Sequence, residues 1–353
     1  MEQPILITGG AGFIGTNAAK YFASRGRDVL LLDNLSRPGV RDNLDWLQSE
    51  FGERIELLEC DIRDADAVSP AIERAGAVLH FAAQVAVTTS LISPLEDFEI
   101  NARGTLNLLE AIRQRRDRVG TSIPLLFTST NKVYGDLGDL EMRVQGQKTV
   151  PSDAQIAQNG ISEARPLDFH SPYGCSKGAA DQYVLDYART FGLPFCVFRM
   201  SCVYGPHQKG TEDQGWVAHF LLQALRGEEI TLFGDGKQVR DILFVEDAIA
   251  AFALGLEHIE TLAGRAFNLG GGARNAVSLL EVVDFIEEIG NERPRLDWGD
   301  WRPGDQKFYV SDTRNFEKAT DWRAQTTARE GLARLFEWLQ HHGAARHFEA
   351  LAA

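Results

Sequence analysis

Tyr173 and Lys177 stand four positions apart in the stretch Tyr-Gly-Cys-Ser-Lys. On a helix this spacing places a phenol and an ammonium group on one face, about one turn apart. A free phenol has a pKa of about 10, which is too high for a base at neutral pH. Because a neighbouring cation favours the phenolate, the pair could remove a proton from an alcohol.

A third candidate, Thr130, follows the apolar run Leu125–Ser129. Ligands bind at the carboxyl ends of the strands in open parallel sheets, so a hydroxyl at this position faces the expected site. It could hydrogen-bond the same substrate oxygen that Tyr173 deprotonates. We therefore predict that Thr130, Tyr173 and Lys177 act together as the catalytic residues.

A glycine-rich turn, Thr8–Gly15, separates the first predicted strand from the first predicted helix. Gly9 allows the tight turn, Gly12 lets the backbone approach a pyrophosphate, and Gly15 permits close helix packing. Asp33 ends the second predicted strand, where a carboxylate would bind the adenosine ribose and repel a 2′-phosphate. This combination predicts a dinucleotide site that prefers NAD to NADP.

Later strand ends carry further candidate contacts to this cofactor. Asp61 and Ile62 close the third predicted strand and could reach the adenine, and Ala82 offers a small side chain after the fourth. The predicted cofactor-binding residues are Gly9, Gly12, Phe13, Ile14, Gly15, Asp33, Asn34, Asp61, Ile62, Ala82, Tyr173 and Lys177.

Short apolar runs alternate with helical patterns before residue 204. The six predicted strands are Ile5–Thr8, Val29–Asp33, Ile55–Leu58, Ala77–Phe81, Leu125–Ser129 and Phe195–Arg199. Strands separated by helices pair in parallel, with helices covering both faces of the sheet. We predict an α/β fold, with a Rossmann-type doubly wound parallel sheet in an NAD-binding domain of residues 1–203 and a returning segment near 239–270.

Residues 204–238 and 271–353 are predicted to form a smaller, mixed α/β substrate-binding domain at the C-terminal end. The segment 137–170 is rich in Gly, Gln, Ser and Pro without a clear period. Long irregular loops inside compact domains are often lids or binding loops, so a lid is expected here.

Composition excludes several classes of protein. The 353 residues hold 36 Lys and Arg against 50 Asp and Glu, a net charge of −14, which is unlike a nucleic-acid binder. No apolar run approaches the roughly 18–20 residues that span a bilayer, and no signal-peptide pattern is present. We therefore expect a cytoplasmic protein without a membrane partner. The four cysteines have no C-x-x-C pair, which predicts reduced thiols and no metal site.

These motifs resemble the extended short-chain dehydrogenase/reductases, which act on nucleotide sugars. The similarity spans nearly the whole chain and also includes Arg240 in Gly236–Asp241, Asn268 in Phe267–Gly270, and Arg302–Asp305. A narrower resemblance is to the CDP-sugar 2-epimerases of this family. It is carried by Asp33–Arg37, Gln84–Ser90, Asp97–Asn101, Ser129–Leu137, Leu167–Tyr183 and Asp213–Trp216.

The resemblance implies a tightly bound NAD+ and a nucleotide-diphosphate sugar as substrate. Arginine can hold phosphate oxygens bidentately, and the resemblance puts Arg240 and Arg302 at the diphosphate. The predicted substrate-binding residues are Thr130, Asn131, Arg240, Arg302 and Asp305. The resemblance further implies a homodimer, formed through helices at 97–118 and 173–190.

Two departures from the wider family bear on the reaction. Related dehydratases carry Asp-Glu after the threonine, whereas Asn131 and Lys132 occupy those places here and cannot donate a carboxyl proton. Dehydration is therefore not expected. Cys202 stands where many relatives have an asparagine near the diphosphate, so that contact is not carried over.

The expected reaction is inversion at C2 of a CDP-hexose by transient oxidation of that carbon. In a 3,6-dideoxyhexose a ketone at C4 would not acidify the C2 hydrogen, because the two carbons are not adjacent. A nucleotide-sugar 4-epimerase would use the same three residues, and only the orientation of the sugar would differ. A noncatalytic NAD-sensing protein would need the cofactor site alone. The sequence leaves the choice of carbon and of nucleotide base open.

Overall fold

The computed structural model describes residues 3–211, 213–302 and 304–342 of the chain. The last residues of the predicted second domain, 343–353, lie outside the described residues. The strands, in chain order, are β1 (Ile5–Thr8), β2 (Val29–Asp33), β3 (Ile55–Glu59), β4 (Ala77–His80), β5 (Leu125–Thr130), β6 (Met142–Gln145), β7 (Lys148–Pro151), β8 (Phe195–Met200), β9 (Cys202–Tyr204), β10 (Ile230–Phe233), β11 (Val239–Phe244), β12 (Ala266–Leu269), β13 (Ala276–Ser278), β14 (Leu296–Gly299) and β15 (Phe308–Tyr309).

The helices connect and cover these strands. They are α1 (Phe13–Ala23), α2 (Val40–Phe51), α3 (Ala65–Arg74), α4 (Val87–Ile92), α5 (Pro94–Phe98), α6 (Gly104–Val119), α7 (Ala154–Asn159), α8 (Ser171–Phe191), α9 (Trp216–Arg226), α10 (Val245–Glu257), α11 (Ile259–Leu262), α12 (Leu279–Gly290), α13 (Arg314–Thr320) and α14 (Ala328–His342).

A seven-stranded parallel sheet forms the larger part of the molecule, in the order β12-β8-β5-β4-β1-β2-β3. Its central strands are buried along their whole length, as expected of apolar runs covered on both faces. One core layer packs α1, α2 and α10 on the sheet, and a second packs α3, α6 and α8 on the opposite face. The predicted α/β class and doubly wound parallel sheet are confirmed.

A second group of elements follows the larger sheet. Strands β9, β11, β13 and β15 form a four-stranded mixed sheet, β10 pairs with β14, and α9, α12 and α14 share a separate apolar core. From the predicted returning segment, β12 joins the large sheet, whereas β11 belongs to this second group. The division into two domains with the stated boundaries stays a prediction.

The segment 137–170 is not the irregular lid that its composition suggested. It forms the hairpin β6–β7 and helix α7, with a turn at Gly146, whose φ is +60°. Leu137 and Ile161 are buried in a cluster with Tyr309, and the Ile161 amide donates to the carbonyl of Val310 at 2.7 Å. The segment is therefore packed against the second group of elements. None of its residues lines the cavity described below, so the lid expectation is wrong.

Two findings concern other expectations from composition. The four cysteines are free thiols. No helix among the described residues is long and apolar enough to cross a membrane.

Candidate active site

A cavity of about 750 Å³ opens at the carboxyl ends of the central strands of the large sheet. Strand order reverses between β1 and β4, and such a switch point is where ligands bind in sheets of this type. All of the predicted site residues line this single cavity. They are Gly9, Gly12, Phe13, Ile14, Gly15, Asp33, Asn34, Asp61, Ile62, Ala82, Thr130, Asn131, Tyr173, Lys177, Arg240, Arg302 and Asp305. Their individual roles remain predictions.

The glycine turn Thr8–Gly15 forms a glycine cradle, in which side chains at Gly9 and Gly15 would collide with neighbouring backbone atoms. A Cβ on Gly9 would lie 2.8 Å from the backbone nitrogen of Ala82, and the φ of Gly9 is +66°. A Cβ on Gly15 would overlap the carbonyl oxygen of Gly9. Helix α1 begins just after Gly12 and has no side-chain cap, so its first amides can receive a phosphate. The turn therefore fits the pyrophosphate of a dinucleotide.

Asp33 lies beside this turn, at the end of β2. Its carboxylate accepts hydrogen bonds from the amides of Ala11, at 3.0 Å, and Leu35, at 2.9 Å. Burial raises its pKa, and these two bonds and the charge of Arg37 oppose that effect. Asp33 thus fixes the glycine turn to the second strand, and its oxygens keep further acceptor capacity for a ribose.

The end of the cavity near Asp33 has a contact that sequence reasoning missed. Arg37, from the segment after β2, hydrogen-bonds the side chain of Gln214, which precedes α9. Nearby, Asn43 donates to the carbonyl of His207, and Lys209 pairs with Asp42 at 3.1 Å. These contacts hold the segment before α9 against α2 and against the segment that follows β2. No local pattern could indicate a pairing between such distant positions.

We expect Gly15→Ala to abolish NAD binding without unfolding the chain. The added methyl group would push Gly9 and the turn out of the position that receives the pyrophosphate. Absorbance of nucleotide released from denatured, purified protein measures the bound NAD. Gly26→Ala is a control, because a Cβ there meets open space. The φ of Gly26 is +84°, so this substitution strains the local backbone without touching the glycine turn. Normal NAD content in Gly15→Ala would contradict the assignment of the turn.

Tyr173 and Lys177 lie on the buried face of α8, with 9% and 3% of their surfaces exposed. Burial raises the pKa of Tyr173 to about 12, and a hydrogen bond with the Thr130 side chain opposes this rise. The charge of Asp97 also favours the neutral phenol. The expectation that Lys177 and the positive charge of an oxidised nicotinamide bring this phenol into working range stays a prediction.

Lys177 is held in an apolar environment. Its Nζ lies 4.2 Å from the centre of the Phe127 ring, and burial lowers its pKa to about 7 against the attraction of Asp181 and Asp97. His80, beneath it, is fully buried and has a pKa of about 3, so this ring is neutral. The lysine is therefore poised to change charge near neutral pH.

This burial predicts a dependence of stability on pH. The pKa of Lys177 is about 7 in the folded protein and ordinarily 10.5, so between these pH values the unfolded chain binds the extra proton. Stability then increases as pH rises through this window and is lost as pH falls towards 7. We expect NAD-free protein to gain stability over this range in urea unfolding and Lys177→Met to lose part of that gain. Lys318→Met, at an exposed lysine, is the control, and parallel profiles for all three proteins would contradict the prediction.

A buried polar network supports α8 from below. Between α5 and α6 the chain makes a π-helical turn over Glu99–Arg103, which buries Asn101. The Asn101 side chain donates to Ser176 at 3.0 Å and to the carbonyl of Gln84 at 3.0 Å. Ser176 in turn donates to Asp97. The predicted helix over 97–118 is therefore interrupted, and the interruption ties the cavity wall to the helix that carries Tyr173.

The opposite wall of the cavity carries the cations. Arg240 on β11 pairs with Asp305 at 2.6 Å, and Arg302 lies 3.5 Å from Asp213 and 3.8 Å from the centre of the Phe233 ring. Lys132 also faces Asp305, at 3.9 Å. Arg240, Lys132 and Arg302 thus lie on this wall together with Asp305 and Asp213. This wall suits an anionic part of a substrate.

Comparison with known proteins defines the class. The model of the NAD dependent epimerase/dehydratase family matches residues 5–270, and the chain belongs to this family. The cofactor is NAD, which agrees with the glycine cradle and Asp33.

Three individual relatives to which the chain is similar are epimerases. The chain is 43% identical over 341 residues to the CDP-paratose 2-epimerase of Salmonella typhi, covering 95% of this chain and 98% of the relative. A UDP-glucose 4-epimerase of Thermus thermophilus, solved in complex with NAD, has a TM-score of 0.79 at 31% identity. A Thermotoga maritima UDP-glucose 4-epimerase with UDP-glucose has a TM-score of 0.81 at 28% identity. Each of these two structural comparisons covers 96% of this chain and 99% of the solved one.

Proposed function

We propose that this protein is a nucleotide-sugar epimerase that interconverts CDP-paratose and CDP-tyvelose by inversion at C2. The observation that carries the proposal is that Thr130, Tyr173 and Lys177 line the same cavity as the glycine cradle. This arrangement can deprotonate an alcohol beside a bound dinucleotide. The choice of sugar and nucleotide rests on the similarity to the Salmonella typhi enzyme.

The side chains divide the work in a simple way. Tyr173 removes the proton of the C2 hydroxyl, Thr130 orients that hydroxyl, and Lys177 holds the nicotinamide ribose. The glycine cradle would hold NAD+, which would supply a reversible hydride acceptor for the carbinol carbon, so no outside redox partner would be needed. The 2-keto sugar rotates within the cavity, so that the hydride returns to the opposite face of C2. Tyr173 returns the proton to the sugar oxygen. Configuration at C2 is thereby inverted.

The cation wall supports a diphosphate substrate. Arg240 and Arg302 would bind phosphate oxygens, and Asp305 holds Arg240 in place at 2.6 Å. Asn131 donates to Gln306 at 3.3 Å and lines the cavity beside Thr130. Because Asn131 and Lys132 cannot serve as a carboxylic acid and its partner base, loss of water from the sugar is not part of this proposal.

NMR in D₂O tests the proposal on purified protein without added cofactor. CDP-paratose, CDP-glucose and UDP-glucose are supplied in parallel, and the expected product is inverted at C2 with no deuterium at that carbon. Deuterium there would overturn the hydride route. If no sugar reacts although the protein contains NAD, the noncatalytic sensor becomes the better explanation.

A nucleotide-sugar 4-epimerase is the second candidate. It is favoured by the similarity over nearly the whole chain to two solved UDP-glucose 4-epimerases. Both reactions need the same three catalytic residues, so the test is the position of inversion. Inversion at C4 of UDP-glucose, with none at C2 of the CDP-sugars, would establish this alternative.

We also propose a cytoplasmic homodimer joined through α5, α6 and α8. Leu95 and Phe98 on α5 and Tyr183 on α8 are apolar and exposed, which supports a covered face there. Light scattering should give the mass of two chains. The mass of a single chain would contradict the dimer.

A further inference from the structure

Lys132 lies between the two halves of the cavity. It belongs to the single 3₁₀ turn Asn131–Tyr134 that follows β5, and its amide donates to the Thr130 hydroxyl at 3.2 Å. Its Nζ is 3.4 Å from Gln306 Oε1 and 3.9 Å from Asp305 Oδ1. Lys132 therefore stands next to the proposed catalytic residues on one side and the arginine wall on the other.

The side chain of Lys132 is 22% exposed, and its ammonium group has no short contact with a carboxylate among the described residues. Asp305 makes its shorter contact, 2.6 Å, with Arg240, so Lys132 has only the longer contact to this carboxylate. Burial lowers the pKa of Lys132 to about 8, the charge of Arg240 lowers it further, and Asp305 opposes both. An anion in the cavity would stabilise this charge. Gln306 is completely buried and donates to the carbonyl of Gly135 at 2.6 Å, which fixes the position of the lysine.

Inversion at C2 would bring an anionic phosphate near the residues that flank Lys132. In a nucleotide sugar C2 is bonded directly to C1, which carries the diphosphate, whereas C4 lies across the ring. A sugar whose C2 hydroxyl reaches Thr130 and Tyr173 must therefore bring its sugar-proximal phosphate close to the same residues. For reaction at C4 that phosphate would lie a ring width further away, towards the arginines.

We propose that Lys132 binds the sugar-proximal phosphate of the substrate and so selects C2, rather than C4, for oxidation. Arg240 and Arg302 then hold the rest of the diphosphate. This inference rests on the proposed function and assigns the specificity for one carbon to a named cation. It also explains why a partly buried lysine occupies the position that, by resemblance, holds a carboxylic acid in the dehydratases.

Binding of CDP and CMP to the NAD-loaded protein tests this inference by calorimetry. CDP carries the second phosphate and CMP does not, so Lys132→Met should weaken CDP binding roughly tenfold or more while leaving CMP binding unchanged. Lys318→Met, which removes an equal charge from the exposed face of α13, should bind both nucleotides as the original protein does. Unchanged CDP affinity in Lys132→Met would overturn the inference.

Two controls separate the role of Lys132 from misfolding of the variant and from a wrong choice of nucleotide base. Asp305 keeps Arg240 when Lys132 is removed, so no buried carboxylate is left unpaired, and NAD content verifies the fold. Lys132→Gln is a second variant and should show the same selective loss. If the original protein binds UDP or dTDP instead of CDP, the cytidine in the proposed function is wrong. The affinities of Lys132→Met for that diphosphate and for its monophosphate then decide the role of Lys132. Binding of none of the three diphosphates would overturn both.

The position of inversion gives an independent readout. With CDP-glucose, which has hydroxyl groups at both C2 and C4, Lys132→Met should lower the ratio of C2 to C4 product. An unchanged ratio would overturn the proposed selection even if CDP binding fell. Absence of C2 product from the unaltered protein with both CDP-paratose and CDP-glucose would instead refute the proposed function.

Discussion

Tyr173→Phe is expected to lower kcat by roughly 10²–10⁴-fold, the usual contribution of general acid–base catalysis. The phenylalanine ring preserves the packing of a side chain that is 9% exposed and removes only the hydroxyl that contacts Thr130. Bound NAD and the thermal midpoint should therefore change little. NMR assays with saturating CDP-paratose, together with the NAD content of each preparation, measure the two effects separately.

A matched change at Tyr183 sharpens the comparison. Tyr183 is on the same helix and is 45% exposed, so Tyr183→Phe removes an equivalent hydroxyl away from the cavity. It should leave kcat unchanged. If Tyr173→Phe retained full epimerase activity, Tyr173 could not be the base, and the mechanism would have to be abandoned.

The second large effect is expected on stability. Arg199 on β8 donates two hydrogen bonds of 2.9 Å to Asp181 on α8, and both side chains are almost fully buried. Arg199 also donates to the Tyr134 hydroxyl at 3.1 Å. Asp181→Asn would leave a buried guanidinium without its counter-charge, so the free energy of unfolding should fall by about 3–5 kcal/mol. Urea unfolding of both proteins measures the difference.

An exposed pair serves as the control. Glu56 and Arg74 are about half exposed, and Glu56→Gln should cost no more than about 1 kcal/mol. The double variant Asp181→Leu with Arg199→Met removes both buried charges and should recover most of the stability. Equal unfolding curves for Asp181→Asn and the unaltered protein would show that the buried charge is compensated elsewhere.

Most of the large sheet could be predicted from sequence, because its strands are apolar runs buried on both faces. All six predicted strands are present, each within one residue of its predicted end. Strand β12 was expected only as part of a returning segment, since its four residues include the polar Asn268. That side chain is satisfied by tertiary contacts: it accepts from Tyr134 at 2.7 Å and donates to the carbonyl of Ile161 at 2.8 Å. No local pattern encodes those partners.

Within the site, residues on regular elements were the predictable ones. Tyr173 and Lys177 are one helical turn apart, so the sequence predicts that they share one face of a helix. Thr130 ends a strand, so the sequence predicts that it lies at the edge of the sheet where ligands bind. Lys132 and Asn101 depend on a 3₁₀ turn and a π-helical turn, whose backbone geometry leaves no periodic trace. The motif after Thr130 includes Lys132, but the sequence there indicates only that a carboxyl group is missing.

The position of β12 in the sheet has a consequence for biosynthesis. It pairs with β8, yet residues 201–265 must be translated between the two strands. Until Ala266–Leu269 leaves the ribosome, the nascent chain presents β8 as an open edge with the apolar sequence Phe-Cys-Val-Phe. Unpaired apolar edges recruit other strands and promote aggregation. A polypeptide that stops near residue 203 would therefore depend on chaperones or precipitate, even though it contains every strand that carries the glycine cradle and Thr130.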